Sequence, residues 1–284
     1  MRKIWVIARM TFRENVRKRI VLTGLVLGLL FLAVFSIGFR MVYVNALTNP
    51  EMMPSGALSR VMVNEATNML LLAGLYAVTF LSVAMGALLG ADTLSGEINS
   101  GTIQTIVTKP VRRAEVVLGK WLGFAILLGL YSLLMSGGTV FSIWVQSGYL
   151  PPNMLKGVSL IYLEAVLMMT LALFCSSFLS GLATGGVVFG MYGLGFIGGW
   201  VEQIGTAIQN PTVAQVGIIT SLLIPSESLW RRASFEMQSP ISSALGFSPF
   251  GSGTVPSPLM MVYAALYLLF FLWAAVSTFD QRDL

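Results

Sequence analysis

The feature that most constrains this chain is the length of its stretches without charge. No Asp, Glu, Lys or Arg occurs between Arg19 and Arg40, between Glu65 and Asp92, or between Lys120 and Lys156. A helix needs roughly 20 apolar residues to cross the hydrocarbon core of a bilayer, and each of these runs is long enough. Charged residues make up 10% of the chain, where a soluble domain carries about 25%. With 56% hydrophobic residues and a mean hydropathy of +0.81, a soluble core is excluded. The chain reads as an all-α polytopic membrane protein.

Charge gaps and turn signals divide residues 1–284, one transmembrane domain, into six expected spans: 20–44, 69–90, 120–146, 157–178, 182–203 and 258–279. Ser176, Ser177, Ser180 and Gly181 supply a tight turn between the fourth and fifth, and Pro256 and Pro258 open the sixth. The polar segment 91–119 separates the second span from the third, and 204–256 precedes the last. Inside 204–256, Pro211 and Pro225 bracket an apolar run. As a helix it reaches only about 20 Å, short of the ~30 Å core. It fits an interfacial or re-entrant helix, and a seventh span is the alternative.

Lys and Arg set the orientation. Seven lie in residues 1–20, four (Lys109, Arg112, Arg113, Lys120) in 91–120, and Arg282 follows the last span. The other side carries Arg40, Arg60, Lys156, Arg231 and Arg232. This imbalance predicts an integral protein of the cytoplasmic (inner) membrane. Both termini and the 91–119 segment are cytoplasmic, and 204–256 is external. The net charge of +5 then reflects topology and headgroup contact rather than nucleic-acid binding. Residues 1–19 form an expected amphipathic interfacial helix, with Ala8, Phe12 and Val16 on one face and Arg9, Arg13 and Arg17 beside them. The first apolar run is longer than a signal-peptide core, so no cleaved leader is expected.

What the chain lacks narrows its chemistry. It contains no histidine, which removes Ser-His and Cys-His pairs and His metal sites. Cys175 is the lone cysteine. Gly119-Lys120-Trp121 lacks the hydroxyl residue and the earlier glycine of a phosphate-binding loop. No catalytic residue, metal site or cofactor is therefore expected in this chain.

Two intramembrane features stand out. Glu164 is the one charged residue between Gly157 and Val201. A buried carboxylate is costly and often functional, but a place near the external end would let it reach interfacial water. Glycines recur at GxxxG spacing: Gly24/Gly28, Gly86/Gly90, Gly181/Gly185, Gly186/Gly190 and Gly195/Gly199. That spacing lets helix backbones approach closely, within one chain or between subunits. For a subunit interface the candidates are Gly24, Gly28, Gly186, Gly190, Gly195 and Gly199.

The 91–123 segment is the longest polar interruption. It holds Glu97, Gly101-Thr102, Pro110, Arg112-Arg113 and Gly119-Lys120. Glu97 near a helix start suits the positive end of the dipole, and Pro110 ends a helix with a sharp turn. Arg112, Arg113 and Lys120 can meet acidic groups on a partner or anionic lipids. A solute carrier needs no such loop, whereas a protein pushed by a soluble motor does.

On these residues the chain resembles ABC-2-type ABC transporter permeases. It is most similar to the subgroup that includes the nitrous-oxide-reductase maturation, sodium-efflux and gliding-related permeases. The likeness is carried by the glutamate, Gly-Thr, Pro-x-x-Arg and Gly-Lys pattern of 97–120, and more loosely by Pro225-Ser226-Glu227 with Trp230-Arg231. It implies a type V exporter-like transmembrane domain in which 91–119 forms a coupling helix. Glu97, Gly101, Thr102, Pro110, Arg112, Arg113, Gly119 and Lys120 would then contact a separate cytoplasmic ABC ATPase that carries ATP and Mg. Two permease copies, or a heterodimer, and an external accessory protein complete the implied assembly. The alternatives are a mechanotransmitting subunit that relays motion to an external partner, and a secondary transporter or channel.

Overall fold

The computed structural model describes residues 2–48, 57–91, 93, 112–241 and 255–281. Among these, every regular element is a helix: α1 (Arg2–Val16), α2 (Arg19–Thr48), α3 (Ala57–Ala91), α4 (Arg113–Ser147), α5 (Met154–Ser176), α6 (Gly181–Ala207), α7 (Pro211–Leu223), α8 (Ser226–Met237) and α9 (Pro258–Asp280). Six of them, α2 to α6 and α9, are long and apolar enough to cross a membrane, while α7 and α8 meet at 102°. One end of the bundle holds α1, the start of α4 and the end of α9, and is called the terminal end. The opposite one is the distal end.

Two spans begin earlier than their apolar runs. The second helix starts at Ala57 rather than 69, and the third at Arg113 rather than 120. Nothing in Asn64, Glu65 or Asn68 breaks a helix, so α3 continues past the apolar stretch. At the start of α4 the Arg112 backbone N–H donates to Glu115 Oε2 at 3.1 Å, satisfying a donor the helix leaves open. At its other end Gly148 adopts φ 71°, the left-handed conformation that closes a helix without a Cβ clash.

α5 is the central helix, packed against α3, α4, α6, α8 and α9. Its closest neighbour is α3. A Cβ on Gly86 would lie 2.8 Å from the Ala165 carbonyl, and one on Gly90 would lie 2.8 Å from that of Met169. The two backbones touch, as small residues permit in membranes. Side-chain hydrogen bonds then lock α4 onto α5: Trp121 Nε1 donates to Thr170 Oγ1 (2.8 Å) and Tyr162 OH to the Ala125 carbonyl (3.0 Å). Ser176 and Ser177 hydroxyls donate to the Leu173 and Phe174 carbonyls, closing α5 at the expected turn.

The packed face of α1 differs from the expected one. Ala8, Thr11 and Asn15 are buried, whereas Val16 is exposed. Ile7 and Ala8 lie over Gly119 and Gly123 of α4, a close approach that sets the helix rotation. Trp5, Val6 and Met10 stay exposed on another side. The helix thus has two apolar faces, one for α4 and one for an interface, and a single i, i+4 stripe identifies neither.

The segment bracketed by Pro211 and Pro225 forms α7, the first helix of a pair bent by 102°. α7 opens with Asn210 Oδ1 accepting from the Thr212 and Val213 N–H groups and with Pro at its first position. It runs antiparallel along α6, with Gly205 against Ala214, Gly217 against Glu202, Gly198 against Thr220 and Gly195 against Ile224. Pro225 has no N–H to continue the ladder, and the chain turns into α8. α8 returns to the distal end, where Met237 packs on Gly157 of α5. The start of α7 and the end of α8 both lie at the distal end, by the contacts of Gly205 with Ala214 and of Met237 with Gly157. The turn between the two helices leaves carbonyls open, and lipid cannot satisfy them. Tyr263 and Tyr267 of α9 donate to the Leu222 (2.6 Å) and Leu223 (2.9 Å) carbonyls.

Candidate functional site

The turn between α7 and α8 places the start of α8 against the middle of α5 and α6. Glu227, its second residue, is 4% exposed and packs its methylenes on Gly199, where any side chain would collide. Glu164 faces the same region from α5. It is the eleventh of 23 residues in that helix and is fully buried. This corrects the expected place near the distal end. α5 begins at Met154 and α8 covers its outer half, so Glu164 sits at mid-span away from interfacial water.

Glu164 and Glu227 are both buried, as is Tyr192 of α6, while Tyr76 of α3 is half-buried. Tyr76 packs on Trp230 with ring centroids 4.9 Å apart. Both Glu164 carboxyl oxygens and Ser226 Oγ are buried without a hydrogen-bond partner among the described residues. One turn along α8, Arg231 Nη2 donates to Glu202 Oε2 at 2.7 Å and to Ser221 Oγ at 3.4 Å. That ion pair joins α8 to α6 and α7. α3, α5, α6 and α8 thus carry phenols, carboxylates and a guanidinium into an apolar bundle, and of these Arg231 and Glu202 are in direct contact.

The distal end of α8 is held separately. Asn68 Nδ2 donates to the Met237 carbonyl (3.0 Å), the Ser239 N–H donates to Asn68 Oδ1 (3.2 Å), and Ser239 Oγ donates to Glu65 Oε1 (2.5 Å). Arg232 and Lys156 both pair with Glu236. Burial pushes the phenol of Tyr149, in the α4–α5 connection, above its usual range. Glu65 adds to the rise and a hydrogen bond with Asn68 opposes it.

The residues expected to contact an ATPase divide into two sets. Glu97, Gly101, Thr102 and Pro110 lie outside the described residues. Arg112 is exposed at the start of α4. Arg113 turns inward, and its Nη1 donates to the Phe279 (3.5 Å) and Asp280 (3.1 Å) carbonyls at the end of α9. A cation suits that negative helix terminus. Gly119 is covered by Ile7, and Lys120 is 5% exposed. The interface glycines divide as well. Gly24 meets Met85, Gly28 meets Met135, and Gly195 and Gly199 receive Ser226 and Glu227, all within the chain. A Cβ at Gly186 or Gly190 would meet nothing within 4 Å.

Sequence reasoning gave no role to Glu202, at the end of the expected fifth span, and left Glu227 and Arg231 in the external segment as a looser family likeness. The signal was present. Gly195, Gly199 and Gly205 on α6 make the groove that a returning helix fills, and Glu202, Glu227 and Arg231 carry the charge inside it. Gly119 and Gly123, also at GxxxG spacing, mark the seat of α1.

Six helices long and apolar enough to cross a membrane define a helical integral membrane protein. A family model described as ABC-2 family transporter protein matches residues 5–284, and the chain belongs to that family. It is the membrane subunit of an ABC transporter. Two relatives, each named "Probable ABC transporter permease protein NosY", share parts of it. The Stutzerimonas stutzeri protein is 30% identical over 143 residues, covering 50% of this chain and 46% of that one. The Pseudomonas aeruginosa protein is 35% identical over 65 residues, covering 23% of this chain and 24% of that one. The matched stretches thus span less than half of either relative.

Proposed function

We propose that this chain receives motion from a separate ABC ATPase subunit and converts it into export or into conformational work across the membrane. Family membership over residues 5–284 is the observation that carries this reading. The ATPase, with its ATP and Mg, docks on the cytoplasmic segment 91–123, where Glu97, Gly101-Thr102, Pro110 and Arg112 make the contact. Arg113, Gly119 and Lys120 serve that contact from behind. They tie the start of α4 to α1 and to the end of α9, so a push on the segment moves three helices together. Two copies of the chain, or a pair of related permeases, assemble in the inner membrane with both termini in the cytoplasm. The face around Gly186 and Gly190 is open to a second subunit.

A second reading has the same motor but no cargo: the chain transmits motion to an external accessory protein. The α7–α8 pair favours it, because it runs from mid-bundle to the distal end and is bonded to α3, α5, α6 and α9 along the way. The two readings share one test. Glu97→Lys and Arg112→Glu should express, insert and assemble as the wild type does, but capture the ATPase subunit weakly or leave ATP turnover unlinked to function. Loss of one desolvated charged contact costs about 2–5 kcal/mol. Wild-type capture and function in both variants would reduce the segment to a topological anchor. Arg113→Glu is a poorer probe, since it also uncaps α9.

A further inference from the structure

α8 ends at Met237, and the last carbonyls of a helix have no partner within it. Asn68 of α3, fully buried, serves the backbone on both sides of that end. Its Nδ2 donates to the Met237 carbonyl at 3.0 Å, and its Oδ1 accepts from the Ser239 N–H at 3.2 Å. One turn earlier on α3, Glu65 accepts from Ser239 Oγ through both carboxyl oxygens, at 2.5 and 2.6 Å. These bonds set the register of α8 against α3, because a slip along the helix would leave buried backbone groups without partners. The hold of α5 on the same end is of another kind. Met237 packs on Gly157 through a flexible thioether, which adapts to its surroundings. Lys156 reaches Glu236 at 3.8 Å with its side chain 69% exposed, and exposed pairs contribute little. α5 thus limits how far away α8 lies, and α3 fixes where along the bundle its end is held.

The other end of α3, at Ala91, is where the 91–123 segment begins. α3 runs unbroken for 35 residues and contains no proline, and the rise from Asn68 to Ala91 is about 35 Å. Helices bend at proline or glycine, and the glycines in this stretch are covered. Gly74 lies under Phe35 and Thr139, Gly86 against the Ala165 carbonyl, and Gly90 against Ala172 and the Met169 carbonyl. A displacement at Ala91 therefore reaches Asn68 along a stiff rod. We propose that Asn68, supported by Glu65, is the joint through which α3 moves the outer end of α8 and the chain that leaves it at Ser239. Asn68 is a positioning residue for the transmitted motion. The inference rests on the reading of 91–123 as the place where an ATPase subunit pushes, and adds the residues at which that push is delivered to the distal end.

The test uses the full-length chain co-purified with its ATPase subunit and held in lipid nanodiscs. Cys175→Ala removes the native thiol, and Ile241→Cys, exposed just past Ser239, takes an environment-sensitive dye. Emission is read with and without Mg and a non-hydrolysable ATP analogue, and thermal inactivation is measured on the same samples. The expected result is a nucleotide-dependent shift at position 241 that falls severalfold in N68A. S239A keeps both Asn68 bonds but loses the one to Glu65, so it should lose a smaller part, and it keeps the test alive if N68A does not fold. E65Q still offers an amide oxygen to Ser239 Oγ and should retain most of the shift. A dye at Leu150, in the α4–α5 connection, should respond alike in the wild type and in N68A. A bond that only stabilises the fold would lower the inactivation temperature of N68A and S239A and leave their shifts at wild-type size, and that result would overturn the proposal. So would the absence of any shift at 241 in the wild-type complex. Failure of the ATPase subunit to co-purify with the wild-type chain would instead overturn the reading of the 91–123 segment, and this inference with it.

Discussion

α2 and α5 are both spans, yet they have opposite fates. α2 is the more hydrophobic, but only 11% of its most apolar stretch is buried, compared with 72% for α5. In a bilayer the hydrophobic effect does not choose which helix goes to the middle, because lipid is as apolar as leucine. The choice falls to close packing and polar contacts. α5 meets the glycines of α3 backbone to backbone, bonds to α4 through Thr170, and carries the carboxylate that must avoid lipid. α2 lines its outer side with Leu22, Val26, Leu29, Leu30 and Val34 and touches mainly α3 and α4.

If polar contacts organise the centre, breaking one there should hurt most. Arg231→Met leaves Glu202 without its cation beside α6, and removing one partner of a buried pair costs about 3–5 kcal/mol. The expected outcome is a large fall in thermal inactivation temperature, measured in the same detergent as the wild type. A smaller effect is expected from the α3–α5 seam. Gly86→Leu drives a side chain into the Ala165 carbonyl, and overpacking costs about 1–3 kcal/mol. Retention of wild-type stability there would mean the two backbones do not touch.

Tyr267→Phe removes one hydrogen bond to the end of α7. Intramembrane hydrogen bonds average about 0.6 kcal/mol, so the loss should be modest and best seen as increased proteolysis between α7 and α8. The smallest effect belongs to the rim. Val34→Ala on α2 should shift stability by less than about 0.5 kcal/mol, and Gly190→Leu should leave the isolated chain folded. Loss of self-association in Gly190→Leu, read by crosslinking, would assign that open face to a subunit contact.

The spans were legible in the sequence because charge gaps and bilayer thickness are both matters of length. The class and the family were legible for the same reason of pattern. Burial was not. Glu164 was visible as the odd charge in its span, but its depth depended on α8 covering the outer half of α5, a contact between distant segments. Glu227 and Arg231 were set aside with a loop, because a 13-residue helix such as α7 looks too short to matter unless its return partner is seen. Lys120 and Arg113 were taken as outward-facing cations. Lys120 is buried, and Arg113 bonds to the end of α9, so both do structural work inside the chain.

The claim that an ATPase subunit drives this protein through the 91–123 segment can be tested at one residue. A photo-reactive amino acid is placed at Ser100 in the full-length chain, in cells that also express its ATPase subunit, and the adducts are identified by mass. The account predicts an adduct with the soluble ATPase subunit and protection of the same site from membrane-impermeant reagents in intact cells. Labelling of position 100 from outside, or adducts with lipid and with this chain but none with the ATPase, would contradict it.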